Sequence, residues 1–502
     1  MRQGSFIYYS KIAAVGAVKS IMGGEAKSYL AEKLLEIPGL PAKIGQQIST
    51  QLGWVQKPNL SLMQLPLVKN LIESRNREFS QNIVTIDERG IAASLGQLHK
   101  VVLENTDSYA VKVQYPHVDE EIEQQVRNLL KFAKHGPPKK YQMDVENYCS
   151  FMIQQMQCET DYRTEGRQQE RFRLALPTDS PVVIPKVDLK ESRKHLLVQE
   201  YVPSIGIDTL CQWWPKQDRY RIGETIFKNF LHNLFRLGAV HGDFHPGNWG
   251  AQMGGHIDRG PHLVIYDFGA IVEIEASAKA TLLDFINSPM SAKSAEEGYE
   301  FFVRLGFDSE KLAYIYPKLG NLFQIIFEPI FCEEIFNFCD WSVHKKIVAL
   351  LGEDRWWFRT AGPPWFLYFL RSIQGMIFAL RKLEVALPVR KMVMDAVRIH
   401  PTPELPVSQL KKLTTQYHHQ DQKTVNHLQI QVSDNGEEIV RLTMPARSVT
   451  DIEHLIPEEV MSKIGASIDI LAIKKNAIAS GFQPQVLFDR KLNQRRYRVW
   501  LG

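Results

Sequence analysis

The chain has 502 residues, 44% of them hydrophobic, so it can bury more than one core, and its formal charge of +4 is small for that length. That balance gives little support to nucleic-acid binding driven by bulk positive charge, and no nucleic-acid partner is expected from it. Five cysteines (Cys149, Cys158, Cys211, Cys332 and Cys339) form no C-x-x-C pair and are odd in number. They argue against a disulfide framework or a structural zinc site, and for a reducing compartment such as the cytoplasm.

Residues 1–80 read as a helical extension with a break at "EIPGLPAKIGQQ". The first 24 residues carry Arg2, Lys11 and Lys19 and no acid. The short apolar run "IAAVGAV" ends at Lys19 without a cleavage site, so export is not expected. A basic amphipathic helix resting on the inner face of an anionic membrane is one reading, and a solvated helix packed on its own domain is the other. Short β-rich runs separated by turn residues begin at residue 81 and end near 205, interrupted by helical spacing over 118–175. Residues 206–400 read as mostly helical. There "IFKNFLHNLFRLGAV" aligns Ile226, Phe227, Phe230, Leu231, Leu234 and Phe235 on one face, with Gly238 as the stop. The most apolar stretch of this region, "PPWFLYFLRSIQGMIFAL", holds Arg371 at its centre and does not qualify as a membrane span. Residues 401–424 are polar and proline-containing, as in a linker. Residues 425–502 alternate as hairpins around short helices, the first turning at Asn435-Gly436, and form a small α+β appendage.

The chemistry is concentrated at residues 241–250, "HGDFHPGNWG". His241, Asp243 and His245 alternate as metal ligands would, which is one reading. The other is a phosphoryl-transfer loop, in which Asp243 meets the nucleophile and Asn248 holds a magnesium ion. Downstream, "VIYDFGA" places Asp267 at a strand end before Phe268-Gly269. An Asp, an Asn five residues on, then a strand-terminal Asp-Phe-Gly across a hairpin is the order of a protein-kinase core. Asp267 and Asn248 supply the hard oxygen donors that magnesium prefers, and imidazole does not suit that ion. Upstream, Lys112 lies within the strand "AVKVQ", the place of the kinase lysine that contacts the α- and β-phosphates, and needs an acidic partner. The run "CETDYRTEGRQQERF" offers Glu159, Asp161 and Glu165, although by itself it reads as a solvated helix face. Where an ordinary kinase has G-x-G-x-x-G, this chain has "IAASLGQLH", a loop stiffened by alanine.

These residues together resemble the UbiB/AarF family of atypical kinases, which includes the ADCK proteins. The similarity is carried by Lys43-Ile44-Gly45-Gln46 (K-x-G-Q), the loop Ala92-Ala93-Ser94 with Gly96-Gln97, Lys112, Glu159-Thr160-Asp161 (E-x-D), Glu165, Asp243 with Asn248, and Asp267. It implies an α+β, bilobal protein-kinase-like fold with an N-terminal helical extension, and the C-terminal appendage lies outside the family pattern. It implies that Asp243, Lys112 and Glu165 are catalytic, with Glu165 the partner of Lys112, and that Ala92, Ala93, Ser94, Lys112, Glu200 and Val202 bind ATP or ADP. Asn248 and Asp267 would hold Mg2+. Lys43 and Gln46 would regulate by covering the acceptor site, with Lys43 directed at Glu159 or Asp161. It also implies a link to ubiquinone and prenyl-lipid metabolism, with a prenyl-lipid or quinone precursor and a peripheral membrane surface as partners. Ile91 stands where the family has its first loop alanine. The expected function is a Mg-nucleotide-dependent atypical kinase or ATPase. Its alternatives are a nucleotide-gated lipid-binding scaffold without turnover and a small-molecule phosphotransferase.

Overall fold

Runs of Val, Leu and Ile between turn residues become an antiparallel sheet in the computed structural model. It describes residues 62–120, 141–254, 260–287 and 294–399, and in the C-terminal part residues 427–434, 437–445, 449, 470–479, 485–492 and 495–501. Lys43, Gln46 and the linker lie outside the described residues. The chain divides into two compact units, 1–401 and 402–502.

In the first unit the sheet has the order β1 (Ile83–Ile86), β3 (Gly96–Leu103), β4 (Ser108–Gln114), β6 (Leu196–Glu200), with β2 (Ile91–Ala92) paired to β3. Its two faces are covered differently. Val111 and Val113 of β4 pack with Val68, Ile72 and Phe79 beside helix α1 (Leu65–Arg75). Side chains alternate along a strand, so Ala110, Lys112 and Gln114 face the other way. Two helices lie on that second side, α2 (Val145–Thr160) and α3 (Tyr162–Ala175). Helix α3 buries Tyr162, Glu165, Gly166, Gln169 and Phe172, spaced three and four apart as one helical face. An acid and an amide within the buried stripe of a helix require partners there.

Beyond β6 the chain runs through Tyr201–Ser204 into a helical lobe, and the backbone of Ile205 bridges Ala251. Helix α4 (Lys216–His232) continues into a π turn over Asn233–Leu237, and Gly238 ends it with φ at 66°, a left-handed cap that glycine adopts without strain. Strand β7 (Ala239–His241) pairs with β10 (Ile271–Glu273), and between them lies the hairpin β8 (Trp249–Met253), β9 (Pro261–Ile265), with β5 (Val182–Val183) parallel to β9. Helix α5 (Pro364–Lys382) crosses behind this loop region, turning Trp365, Tyr368, Gly375, Met376, Ala379 and Leu380 into the core. Its apolar face is therefore satisfied within the protein. Among the described residues no helix is long and apolar enough to cross a membrane. A short ribbon, β11 (Phe336–Asn337) with β12 (Ala386–Leu387), closes the lobe.

The second unit is a four-stranded antiparallel sheet, ordered β14 (Glu437–Pro445), β13 (His427–Asp434), β16 (Arg495–Leu501), β15 (Gln485–Leu492). Helix α6 (Ile470–Ala479) packs Ile470, Ile473 and Ala477 with Leu428, Ile430, Phe488, Val499 and Leu501, which form its core.

Candidate nucleotide and phosphoryl-transfer site

Lys112 emerges from β4 onto Glu165 of α3. Its ammonium donates to Oε1 at 2.8 Å and Oε2 at 3.0 Å, and to Asp267 Oδ2 at 2.9 Å. Glu165 is 1% exposed, so this is a pairing inside the protein. Burial alone would lower the Lys112 pKa, but Asp267 and Glu165 outweigh it and hold the ammonium well above its ordinary value. The Nζ also lies 5.0 Å from the centre of the Tyr162 ring, a further contact that favours the charged form. Lys112 therefore bridges the two lobes as a fixed cation.

Asp267 lies two residues beyond the end of β9. Its Oδ1 accepts the N–H of Gly269 at 3.1 Å, and Phe268 turns inward between Phe172 of α3 and His241. That aromatic contact ties the helix carrying Glu165 to the strand end carrying Asp267. A Cβ on Gly269 would lie 3.4 Å from Asp267 Oδ1, 3.5 Å from Glu165 Oε2 and 3.6 Å from Glu159 Cγ, which places buried Glu159 beside the same cluster. Asp161 has a different task. It caps α3 through the N–H of Arg163 and pairs with the Arg163 guanidinium at 2.7 Å. That hydrogen bond, more than any other influence, lowers the pKa of Asp161.

The loop at residues 241–248 is built from its own side chains. The Asp243 N–H donates to His241 Nδ1 at 3.2 Å, so the ring proton is on Nε2, which donates to the backbone carbonyl of Asp267 at 2.5 Å. His241 thus joins the two aspartates through the backbone, with both ring nitrogens engaged. His245 Nδ1 accepts the Gly247 N–H at 3.0 Å. Asn248 donates from Nδ2 to the Asp243 carbonyl at 2.9 Å, which turns its side-chain oxygen away from that contact. Trp249 is opposite Ile265 in the hairpin and Tyr266 donates to the Asn248 carbonyl, so Asn248 and Asp267 stand at the same end of β8 and β9. Among the described residues no group of three or more His, Cys, Asp and Glu is arranged around a metal. With His241 already bonded at both nitrogens, the reading of 241–245 as a His-Asp-His metal centre falls. One carboxylate and one amide oxygen at one hairpin end fit a magnesium ion that takes its remaining oxygens from phosphate and water.

Asp243 has a partner that sequence spacing does not reveal. Arg371, from the middle of α5, donates to Asp243 Oδ1 at 2.8 Å, and both side chains are 13% exposed. The signal was present in the sequence as one arginine inside an otherwise apolar helix, which implies a buried acid somewhere. Gly375, one turn further on, allows the close approach: a Cβ there would lie 2.2 Å from the Phe244 carbonyl oxygen. A second unforeseen link runs from Gln169 of α3 to Gln199 of β6 at 2.6 Å, with Gln199 donating to the Tyr266 carbonyl at 3.4 Å.

The alanine loop is a tight turn between β2 and β3. Ala92 pairs with Gln97, the Ala93 N–H donates to the Gly96 carbonyl at 2.8 Å, and Leu95 is buried with Met156 of α2. Gly96 admits no side chain, since a Cβ would meet the Val113 carbonyl at 2.5 Å and the Tyr162 hydroxyl at 2.7 Å. Ala92, Ala93 and Ser94 are half-buried at the edge of β3, which is the neighbour of the strand that carries Lys112. Glu200 ends β6 opposite Tyr109, and Val202 follows in the connection between the lobes.

Burial shifts one histidine of the loop far from its usual range. His245 is 5% exposed, and desolvation lowers its pKa from 6.5 to about 4. The unfolded chain takes up a proton near pH 6.5 and the folded protein near pH 4, so stability is lost as pH falls through that window, by up to about 1.4 kcal/mol per pH unit. Denaturant unfolding at pH 7.0, 6.0 and 5.0 should show this decline, and His245→Gln should flatten it. An equal slope in the variant would assign the acid sensitivity to other groups.

Several known proteins are similar to this chain. The ABC1 atypical kinase-like domain family matches residues 59–296. "Activity of BC1 complex kinase 7, chloroplastic" of Arabidopsis thaliana is 29% identical over 282 residues, covering 53% of this chain and 39% of that protein. "Atypical kinase COQ8B, mitochondrial" of Rattus norvegicus is 27% identical over 255 residues, covering 48% of this chain and 47% of that protein. The match spans less than half the length of either relative. Among solved structures, the Rv3197–erythromycin complex of Mycobacterium tuberculosis aligns with a TM-score of 0.46 at 18% identity, over 67% of this chain and 83% of that one.

Proposed function

This chain belongs, through residues 59–296, to the UbiB family of ABC1 atypical kinase-like proteins, and we propose that it binds ATP with magnesium and transfers the γ-phosphoryl group to water or to an acceptor hydroxyl, releasing ADP. The observation that carries this reading is the shared cation: Lys112 held at once by Glu165 and by Asp267 across the two lobes. Lys112 would contact the α- and β-phosphates while Glu165 keeps it in place. Asp267 and Asn248 would hold magnesium, whose charge, when bound, neutralises the phosphate oxygens. Asp243 orients the attacking hydroxyl and accepts its proton. Ala92–Ser94 would lie over the phosphates, with Glu200 and Val202 beside the base. A prenyl-lipid or quinone precursor is the acceptor or ligand that the family resemblance favours, met at a membrane surface.

The test is ADP release by the full chain, with and without anionic vesicles and a prenyl-phenol mimic. Asp243→Asn should lower turnover by about 10²-fold or more while magnesium-ATP still raises the melting temperature. Nucleotide binding with no turnover under any of these conditions would leave a nucleotide-gated scaffold as the function.

A further inference from the structure

The small formal charge of the chain conceals an uneven distribution. Residues 485–502 contain Arg490, Lys491, Arg495, Arg496 and Arg498 against Asp489 alone, a local +4 that equals the net charge of all 502 residues. These residues form β15 and β16, half of the C-terminal sheet. Leu428, Ile430, Val499 and Leu501 turn to the core under α6, so alternation puts Gln429, Gln431, Arg496, Arg498 and Trp500 on the opposite face. The register arranges that face in rows. Gln429, Trp500 and Val486 lie side by side, then Gln431, Arg498 and Asp489, then Ser433, Arg496 and Lys491. Arg496 is 59% exposed and Arg498 46%, and the Arg498 guanidinium lies 5.2 Å from the Trp500 ring centre. Asp489 is bound by Arg496 through two hydrogen bonds at 2.7 Å, so the carboxylate orients that guanidinium on the sheet.

We propose that this open sheet face binds a single-stranded nucleic acid. Three features favour that occupant. Rows two residues apart along a strand are about 6.8 Å apart, a step that suits successive nucleotides of an extended strand. Trp500 and the planar guanidinium of Arg498 offer stacking surfaces for bases, and Arg496, Lys491 and Arg498 offer cations for the backbone phosphates. The middle of the face is polar, with Gln429, Gln431 and Ser433, and Asp489 is an ionised acid beside it. That is poor chemistry for insertion into lipid, because among the described residues of this face only Trp500 and Val486 are apolar. A duplex fits less well, since its bases are not available to stack.

Fluorescence anisotropy of the full chain with labelled 12-nucleotide oligo(dT) and oligo(rU), and with a duplex of equal length, tests this. Vesicles with 30% phosphatidylserine provide the comparison. Single strands should bind more tightly than the duplex, with a slope of log K against log salt of about −2 to −3 for three to four phosphates engaged. The double variant Lys491→Gln with Arg498→Gln should weaken single-strand binding about tenfold and reduce the slope by one to two. Trp500→Leu should weaken it about tenfold with the slope unchanged. Thermal unfolding of each variant separates loss of binding from loss of fold, and Arg498→Gln alone serves if Trp500→Leu melts early. No single-strand binding at 50 mM salt overturns the proposal. So does duplex binding of equal strength, or vesicle binding lost in the variants without any binding of oligonucleotide.

Discussion

Asp267→Asn should abolish the magnesium-dependent stabilisation of the protein by ATP or ADP and leave the apo fold standing. Asp267 has three engagements at one point. It accepts from Lys112 at 2.9 Å, it accepts the Gly269 N–H at 3.1 Å, and its backbone carbonyl receives the His241 Nε2–H. The amide keeps the volume and the acceptor oxygen, so the backbone contacts survive. It removes the negative charge that a magnesium ion would require and that helps keep Lys112 protonated. Lys112 retains Glu165, so the apo protein should lose only about 1 kcal/mol, because that cation still has a buried partner. In wild type, nucleotide at 100 times its Kd adds about 2.7 kcal/mol of stability, read as a rise in melting temperature. The variant should show no rise that depends on magnesium. An equal rise in both proteins would place the nucleotide away from Asp267, and the assignment of Asn248 would fall with it.

How much of this site could be read in the sequence depended on how local each piece is. Asp243, Asn248 and Asp267 lie on one strand–loop–hairpin unit, and the spacing alone places them at the same end of β8 and β9. Lys112 was legible only through the kinase order, because a lysine alternating with Val111 and Val113 would otherwise read as a solvent-facing strand residue. Its partner Glu165, 53 residues away, was one of three acids as far as the local sequence goes, and only the family resemblance singled it out. The structure separates those acids by backbone position. Asp161 precedes the first turn of α3 and caps it, whereas Glu165 falls on the buried stripe with Tyr162, Gln169 and Phe172. The C-terminal hairpins were legible because alternation and Asn435-Gly436 are local signals. The charged rows across β13, β15 and β16 were not, since they depend on which strands become neighbours. Arg371 was the least legible of all. It served as evidence against a membrane span, and nothing nearby in the chain named the acid it meets 128 residues upstream.

That ion pair sets the largest expected effect outside the nucleotide contacts. Arg371→Met should lower turnover by about 10²-fold and destabilise the protein by about 3 kcal/mol, since it leaves the Asp243 carboxylate buried without the cation that faces it. Arg371 reaches Asp243 across the lobe from α5 and stacks over Tyr368 at 5.4 Å, so its guanidinium is fixed at both ends. A lysine would keep the charge but lose the planar fork, so Arg371→Met and Arg371→Lys should part company: the first loses stability and rate, the second mainly rate. The double variant Arg371→Met with Asp243→Asn removes both charges and should recover much of the lost stability, giving a coupling energy of about 1.5 kcal/mol or more by denaturant unfolding. It should recover no turnover, because Asp243 is needed for the proton. Additive stabilities across this cycle would mean that the 2.8 Å contact carries little energy. In that case Arg371 would serve the packing of α5, and Asp243 would be positioned by the loop alone, through the N–H it donates to His241 and the carbonyl that accepts from Asn248.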